Sequence, residues 1–240
     1  MGDRMITLLN IDCMDYMATC KDKQFDLAIV DPGYGIGEDW NKSKSDVHYK
    51  HISIYKNNKI PCRKYFKELF RISKNQIIWG GNYFTRFLRP TNRWIIWDKH
   101  RDVEKTFMSE AEVAWTSFKI PMRIFRYQWD GGKKQSETGI KKIHPHQKPL
   151  ALYKWLLKNY AKEGDRIIDT HLGSGSSAIA AYDFGCDFVG TEIDLEYFNA
   201  AVARFENHKK QLRLYPATSD QPQHGKDDIN IGDFQDGLLF

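Results

Sequence analysis

Apolar positions recur along this chain with two different spacings, and the alternation between them lays out the fold. Ile6–Leu9 reads as a strand, Cys13–Cys20 as a short helix, and the largely apolar Phe25–Val30 as a buried strand. Lys64–Ser73 predicts a helix with Tyr65, Phe66, Leu69 and Phe70 on one side. Strands follow at Gln76–Trp79, Trp94–Trp97, around Val113–Thr116 and at Arg123–Gln128. The last block is the most regular. Pro149–Lys162 is helix-like, with proline at its start and Gly164 beyond its end. Arg166–Asp169 then predicts a strand, Ser176–Phe184 a helix, Asp187–Glu192 a strand and Leu195–Glu206 a helix. Strand–helix alternation of this kind implies an α/β fold, with a mostly parallel sheet covered by helices on its faces.

Between these elements lie polar stretches without period. Gly35–Lys59 is dotted with lysine, and Lys133–Lys142 is a second basic, glycine-flanked connection. A structureless segment as long as the first marks a functional or a disordered loop. Periodicity is lost beyond Asn207, and 209–236 reads as flexible. The expected organisation is one domain over 1–206, with 35–59 and 99–143 as insertions that contact a partner, and a flexible tail over 207–240.

Composition narrows the class. A chain of 240 residues with 41% hydrophobic content buries one substantial core. Its mean hydropathy of −0.60 argues against residence in a membrane, and no apolar run reaches the ~20 residues that cross a bilayer. The start MGDRMITLLN lacks the apolar core of a secretion signal, and Ile6 stands where a myristoylation signal needs Ser or Thr. Cys13, Cys20, Cys62 and Cys186 have no metal-type spacing, so reduced thiols, a cytoplasmic location and no metal are expected. A formal charge of +5 permits a polyanionic partner without requiring one.

Two segments carry the candidate chemistry. The first is AIVDPGYGIG, residues 28–37. Ligands of open α/β sheets sit outside the carboxyl ends of strands, where Asp31 falls. Pro32 stops the strand and offers its carbonyl, while Gly33, Gly35 and Gly37 let the loop wrap around something planar beside Tyr34. A carboxylate, a carbonyl and an aromatic face suit a base that carries an exocyclic amine. The second segment, DTHLGSGSSA, follows the strand ending at Asp169. Gly173 and Gly175 permit backbone turns closed to other residues and a close ligand approach. Glu192, at the end of the next strand, stands where an acid accepts hydrogen bonds from ribose hydroxyls. This pattern serves nicotinamide cofactors and S-adenosylmethionine (SAM) alike, so by itself it specifies an adenosine ligand.

Together the segments resemble the beta-type DNA amino-methyltransferases, whose motifs run in permuted order. That family has a (D/N/S)PP(Y/F) motif early, an HPTQKP-like segment later, and DPFxGSGTT with a GxEID-type acid last. The matching stretches here are Asp31-Pro32-Gly33-Tyr34, His144-Pro145-His146-Gln147-Lys148-Pro149, 169–177, and Gly190-Thr191-Glu192-Ile193-Asp194. The resemblance implies a Rossmann-like, circularly permuted SAM-dependent methyltransferase. Asp31, Pro32 and Tyr34 become the catalytic set. Asp12, Lys148, Asp169, His171, Gly173, Ser174, Gly175, Ser176 and Glu192 become the cofactor set, with Asp12 placed at the adenine amine of SAM. Departures are Gly33 for the second proline, Thr170 for a proline, His171 for a phenylalanine and His146 for a threonine.

The implied reaction methylates the exocyclic amine of a flipped base in double-stranded DNA. An Asp at the head of the motif leans toward N6 of adenine in this family. N4 of cytosine, a catalytically weak nucleic-acid-binding relative, an NAD-dependent oxidoreductase, and RNA or single-stranded DNA as substrate stay open. Cys62 opens a helix instead of following a catalytic strand, which argues against carbon-5 chemistry. DNA contacts are expected from Lys42, Lys44 and Lys50, from Lys133 and Lys134, and from the interleaved Trp40, Tyr49 and Tyr55. The chain is expected to act as a monomer or homodimer. Its last residues, QDGLLF, loosely resemble peptides that dock on replication sliding clamps.

Overall fold

A computed structural model describes residues 5–35, 59–100, 109–129, 133–137, 139 and 142–214. Its strands are β1 (Ile6–Asn10), β2 (Phe25–Val30), β3 (Ser73–Trp79), β4 (Trp94–Asp98), β5 (Ala111–Thr116), β6 (Arg123–Arg126), β7 (Arg166–Asp169) and β8 (Asp187–Glu192). Its helices are α1 (Cys13–Thr19), α2 (Arg63–Ile72), α3 (Leu150–Tyr160), α4 (Ser176–Phe184) and α5 (Leu195–Leu214). The strands form one sheet in the order β1-β8-β7-β2-β3-β5-β4-β6. Every pairing is parallel except those of β5, which runs against both β3 and β4.

The continuous apolar stretch Leu27–Val30 of β2 is explained by its place in mid-sheet, covered on both faces. Side chains of a strand alternate between faces. Leu27 and Ile29 accordingly join Ile77, Trp79, Leu152, Leu156 and Ile179 in one core. Ala28 and Val30 join Met17, Tyr65, Phe66, Leu69, Ile78 and Ile168 in the other. Helices α3 and α4 thus cover one face, and α1 and α2 the other.

The two halves of the chain meet at the pairing of β2 with β7. From β7 the chain moves outward to β8, and from β2 it moves the opposite way to β3. A crevice opens at the carboxyl ends of strands wherever connections diverge like this. Asp31 follows β2 and Asp169 ends β7, so both candidate segments lie on it.

Two expectations about the elements change. The last helix does not stop at residue 206 but continues to Leu214, so the flexible tail is not read from 207. His208 binds Asp183 of α4 at 2.7 Å and the Lys209 ammonium lies 5.4 Å from the Phe205 ring, contacts that hold the extra turns. Residues 99–143 are not simply an insertion either, because β5 and β6 within them complete the sheet.

Candidate active site

Asp31 has both carboxylate oxygens engaged. Oδ1 accepts the Tyr34 hydroxyl at 2.6 Å, and Oδ2 pairs with Lys148 Nζ at 2.7 Å. The same ammonium lies 2.7 Å from Glu112 Oε2, and Glu112 Oε1 pairs with Lys99 Nζ at 2.5 Å. The result is an alternating chain Asp31–Lys148–Glu112–Lys99, built from the end of β2, the segment before α3, the start of β5 and the end of β4. Because β5 runs antiparallel, its beginning reaches the same sheet edge as the other strands' ends.

Mutual compensation keeps this network charged. Burial disfavours an ionised Glu112, but Lys148 and Lys99 outweigh it and hold the carboxyl well below its usual range. Burial likewise opposes a charged Lys148, and Asp31 and Glu112 reverse that, raising its affinity for the proton. Burial, then the Asp31 and Glu112 charges, push the Tyr34 hydroxyl well above its usual value, so it stays a donor.

The Tyr34 ring stacks on Tyr83 at 5.0 Å and 15°, with Phe84 edge-on at 6.1 Å. Its underside lies against the backbone of Gly80, where φ is +70° and an added Cβ would fall 2.1 Å from Tyr34 Cε1. Only glycine satisfies both conditions. Tyr83 is 40% exposed, which makes the pair an aromatic ledge open on one side.

Across the crevice, internal bonds shape the glycine turn. Asp169 Oδ2 accepts the Ser177 hydroxyl at 2.6 Å and Oδ1 accepts the His171 N–H at 3.0 Å. Glu192 accepts the N–H of Gly173 at 2.9 Å and of Asp194 at 3.0 Å. Arg204, from α5, donates to the Ser174 carbonyl at 2.9 Å and to Ser176 Oγ at 2.8 Å. The His144 ring covers Gly173 and meets Tyr197 edge-on at 4.5 Å. Gly173 and Gly175 both have positive φ, +50° and +73°.

Burial dominates the titrations here. It pushes Asp169 up to about 7 against the Ser177 and His171 hydrogen bonds. It raises Glu192 as well. Burial lowers His171 to about 4, although Asp31 and Asp12 pull the other way, and lowers His144 to about 3. Both imidazoles are therefore neutral near pH 7. The Asp31 charge raises the proton affinity of both His171 and Asp169.

Several expected residues sit differently from their sequence reading. The resemblance assigns Lys148 to the cofactor set, but its ammonium belongs to the Asp31 network. Its backbone carbonyl alone reaches the glycine turn, accepting Ser176 Oγ at 3.1 Å. Asp169, Ser174 and Ser176 are buried and brace the turn from within. Asp12 caps α1, accepting the Met14 N–H at 2.7 Å. Lys134 is buried, with its ammonium 5.6 Å from the Trp129 ring, so it does not fit the expected DNA-facing role. Lys133 is exposed. Lys42, Lys44, Lys50, Trp40, Tyr49, Tyr55 and the QDGLLF terminus lie outside the described residues.

Glu112, Lys99, Tyr83 and Arg204 escaped the sequence reading. A signal existed for two of them. Glu112 is the lone acid in the strand Ala111–Thr116, and Tyr83 follows a Gly80-Gly81 pair at a strand end.

The fold and site define a Rossmann-type α/β protein whose acid-headed turn faces a glycine turn across the central crevice. A profile of the N6/N4 DNA methylases matches residues 77–203, and the chain belongs to that family. The type II methyltransferase M2.MboI of Moraxella bovis is 23% identical over 245 residues, spanning 85% of this chain and 88% of its own. M.HpaI of Haemophilus parainfluenzae is 20% identical over 225 residues, 78% of this chain and 70% of its own. Among solved structures, the M1.HpyAVI–SAM complex superposes with a TM-score of 0.55 at 18% identity, covering 83% of this chain and 98% of that one. PvuII DNA methyltransferase, described as cytosine-N4-specific, gives 0.59 at 13% identity, covering 87% and 92%.

Proposed function

We propose that this chain transfers a methyl group from SAM to the exocyclic amine of a flipped DNA base, with N6 of adenine as the acceptor. The observation that supports the reading is the parallel pairing of β2 with β7, the two strands that Asp31 and the Gly173–Gly175 turn follow.

The donor side fits SAM by its chemistry. Positive φ at Gly173 and Gly175 makes a tight turn that glycine adopts without strain and whose backbone a ligand can approach closely. Glu192 has acceptor capacity for ribose hydroxyls beyond its two backbone bonds, and Asp12 has capacity beyond its cap bond to the Met14 N–H for an adenine amine. Those four residues would hold SAM, with His171 beside them. When bound, SAM supplies a methyl group on a positively charged sulfur.

On the acceptor side, an exocyclic amine is a weak nucleophile because its lone pair is delocalised into the ring. Hydrogen bonds to the Asp31 carboxylate and the Pro32 carbonyl would localise that lone pair and stabilise the positive charge that develops on nitrogen. Alignment of the amine with the methyl group accounts for much of the remaining acceleration. The Tyr34–Tyr83 ledge would replace stacking lost when the base leaves the duplex, worth about 1–3 kcal/mol per base in single-strand binders.

Cytosine N4 is the second reading, favoured by the fold shared with the N4-specific PvuII enzyme. Its amine meets the same two acceptors. Incubation of DNA with labelled SAM, followed by nucleoside analysis, separates the two. N6-methyladenine is the expected product, and N4-methylcytosine alone would move the assignment. Stabilisation by NAD but not by SAM in thermal denaturation would sink both.

A further inference from the structure

The catalytic carboxylate is already occupied by its own neighbours. Tyr34 holds Oδ1 at 2.6 Å and Lys148 holds Oδ2 at 2.7 Å. An amine that needs a charge-rich acceptor meets an anion neutralised by an ammonium group, a weaker acceptor than a bare carboxylate. Those partners must yield ground for the reaction, and a largely buried lysine cannot be left without an anion at little cost.

Glu112 solves that problem by its position. Its Oε2 lies 2.7 Å from Lys148 Nζ, the same distance as Asp31 Oδ2, and 3.5 Å from the Tyr34 hydroxyl. The groups that occupy Asp31 thus have a second acceptor within reach, without a backbone movement. Lys99 fixes Glu112 from the far side through Oε1 at 2.5 Å, so the receiving carboxylate is held in place. Lys99 is itself braced, with its ammonium 5.0 Å from the Trp97 ring. A pair that served stability alone would need one acid for Lys148. Here two acids flank it symmetrically.

We propose that Glu112 is a positioning residue: it receives Lys148 and the Tyr34 hydroxyl when the substrate amine takes the Asp31 oxygens. The inference rests on the methyl-transfer reading above and names a residue that reading does not use. No bond is made or broken in the exchange. Two hydrogen-bonded groups change partner, and Asp31 is released as an acceptor.

The test is a set of variants assayed for methyl transfer to DNA, with sinefungin binding and thermal denaturation measured alongside. Glu112→Gln leaves Lys148 with Asp31 as its one anionic partner among the described residues, so kcat should fall about tenfold or more while sinefungin affinity is kept. Glu112→Asp retains the anion and should recover part of that loss. The double variant Glu112→Gln/Lys148→Met should be no slower than Glu112→Gln, because the group that clamps Asp31 is gone. A wild-type rate in Glu112→Gln, or losses that multiply in the double variant, would overturn the proposal. A wild-type structure with sinefungin and DNA supplies a readout that does not depend on the variants' folding. Lys148 should then contact Glu112 and not Asp31, and an unchanged Asp31–Lys148 pair would also overturn it. If the wild type methylates no DNA at all, the functional reading fails first and this inference with it.

Discussion

Gly80 shows how strictly one residue can be set by its neighbour. Its φ of +70° and the 2.1 Å between an added Cβ and the Tyr34 ring leave no room for alanine. Gly80→Ala should cost about 1–3 kcal/mol in backbone strain and displace Tyr34 from Asp31. Thermal denaturation should show a lower midpoint, and methyl-transfer assays a lower kcat. His171 supports a prediction about pH. Its folded pKa of about 4 lies below the ordinary 6.5, so between those values the unfolded chain binds more protons than the folded one. Stability from this group is complete above about pH 6.5 and is lost as pH falls through about 4. Replacing it with the family's usual phenylalanine, His171→Phe, should flatten the acid limb when denaturant midpoints are compared between pH 7 and 4.5. Asp31 and Tyr34 were legible from the DPGY stretch because their places follow from a strand end and a turn. The aim of Lys148 was not. Its ammonium reaches Glu112 in β5, a partner brought near only by the order of strands in the sheet.

Among the elements, α5 has a role that its hydropathy pattern did not announce. It sends Arg204 to Ser174 and Ser176, fixing the glycine turn from outside. Hydrogen bonds from a charged group contribute about 1.5–3 kcal/mol each, and their loss strands polar atoms in a buried place. Arg204→Ala should therefore lower thermal stability and weaken SAM binding several-fold by calorimetry. From Arg166 to Glu192 the strands and helix were legible to the residue, since Gly164, Gly175 and Gly185 punctuate them and two adopt left-handed caps. The end of α5, which no glycine marks, was placed eight residues short. The direction of β5 was not legible. A short strand such as AEVAWT carries no mark of its orientation, and that orientation is what delivers Glu112 to the active edge.

For the whole molecule, the sheet divides labour between an earlier half that holds Asp31 and a later half that holds the glycine turn. The two functions should separate by mutation. Asp31→Ala should lose about two to three orders of magnitude in transfer rate while keeping SAM affinity. Glu192→Ala should lose SAM affinity, and calorimetry with each variant distinguishes the cases. A mostly parallel sheet covered by helices followed from the strand–helix alternation alone, whereas the meeting of β2 with β7 required long-range pairing that no local pattern encodes.

Lys148 belongs to both halves at once, its ammonium on Asp31 and its carbonyl on the hydroxyl of Ser176. It works as a tie-rod between two workshops under one roof. An engineer who grafts the front of this chain onto the rear of a relative must therefore import that lysine and a hydroxyl to anchor it. Without them, each portion can fold correctly and the hybrid will still lack its alignment.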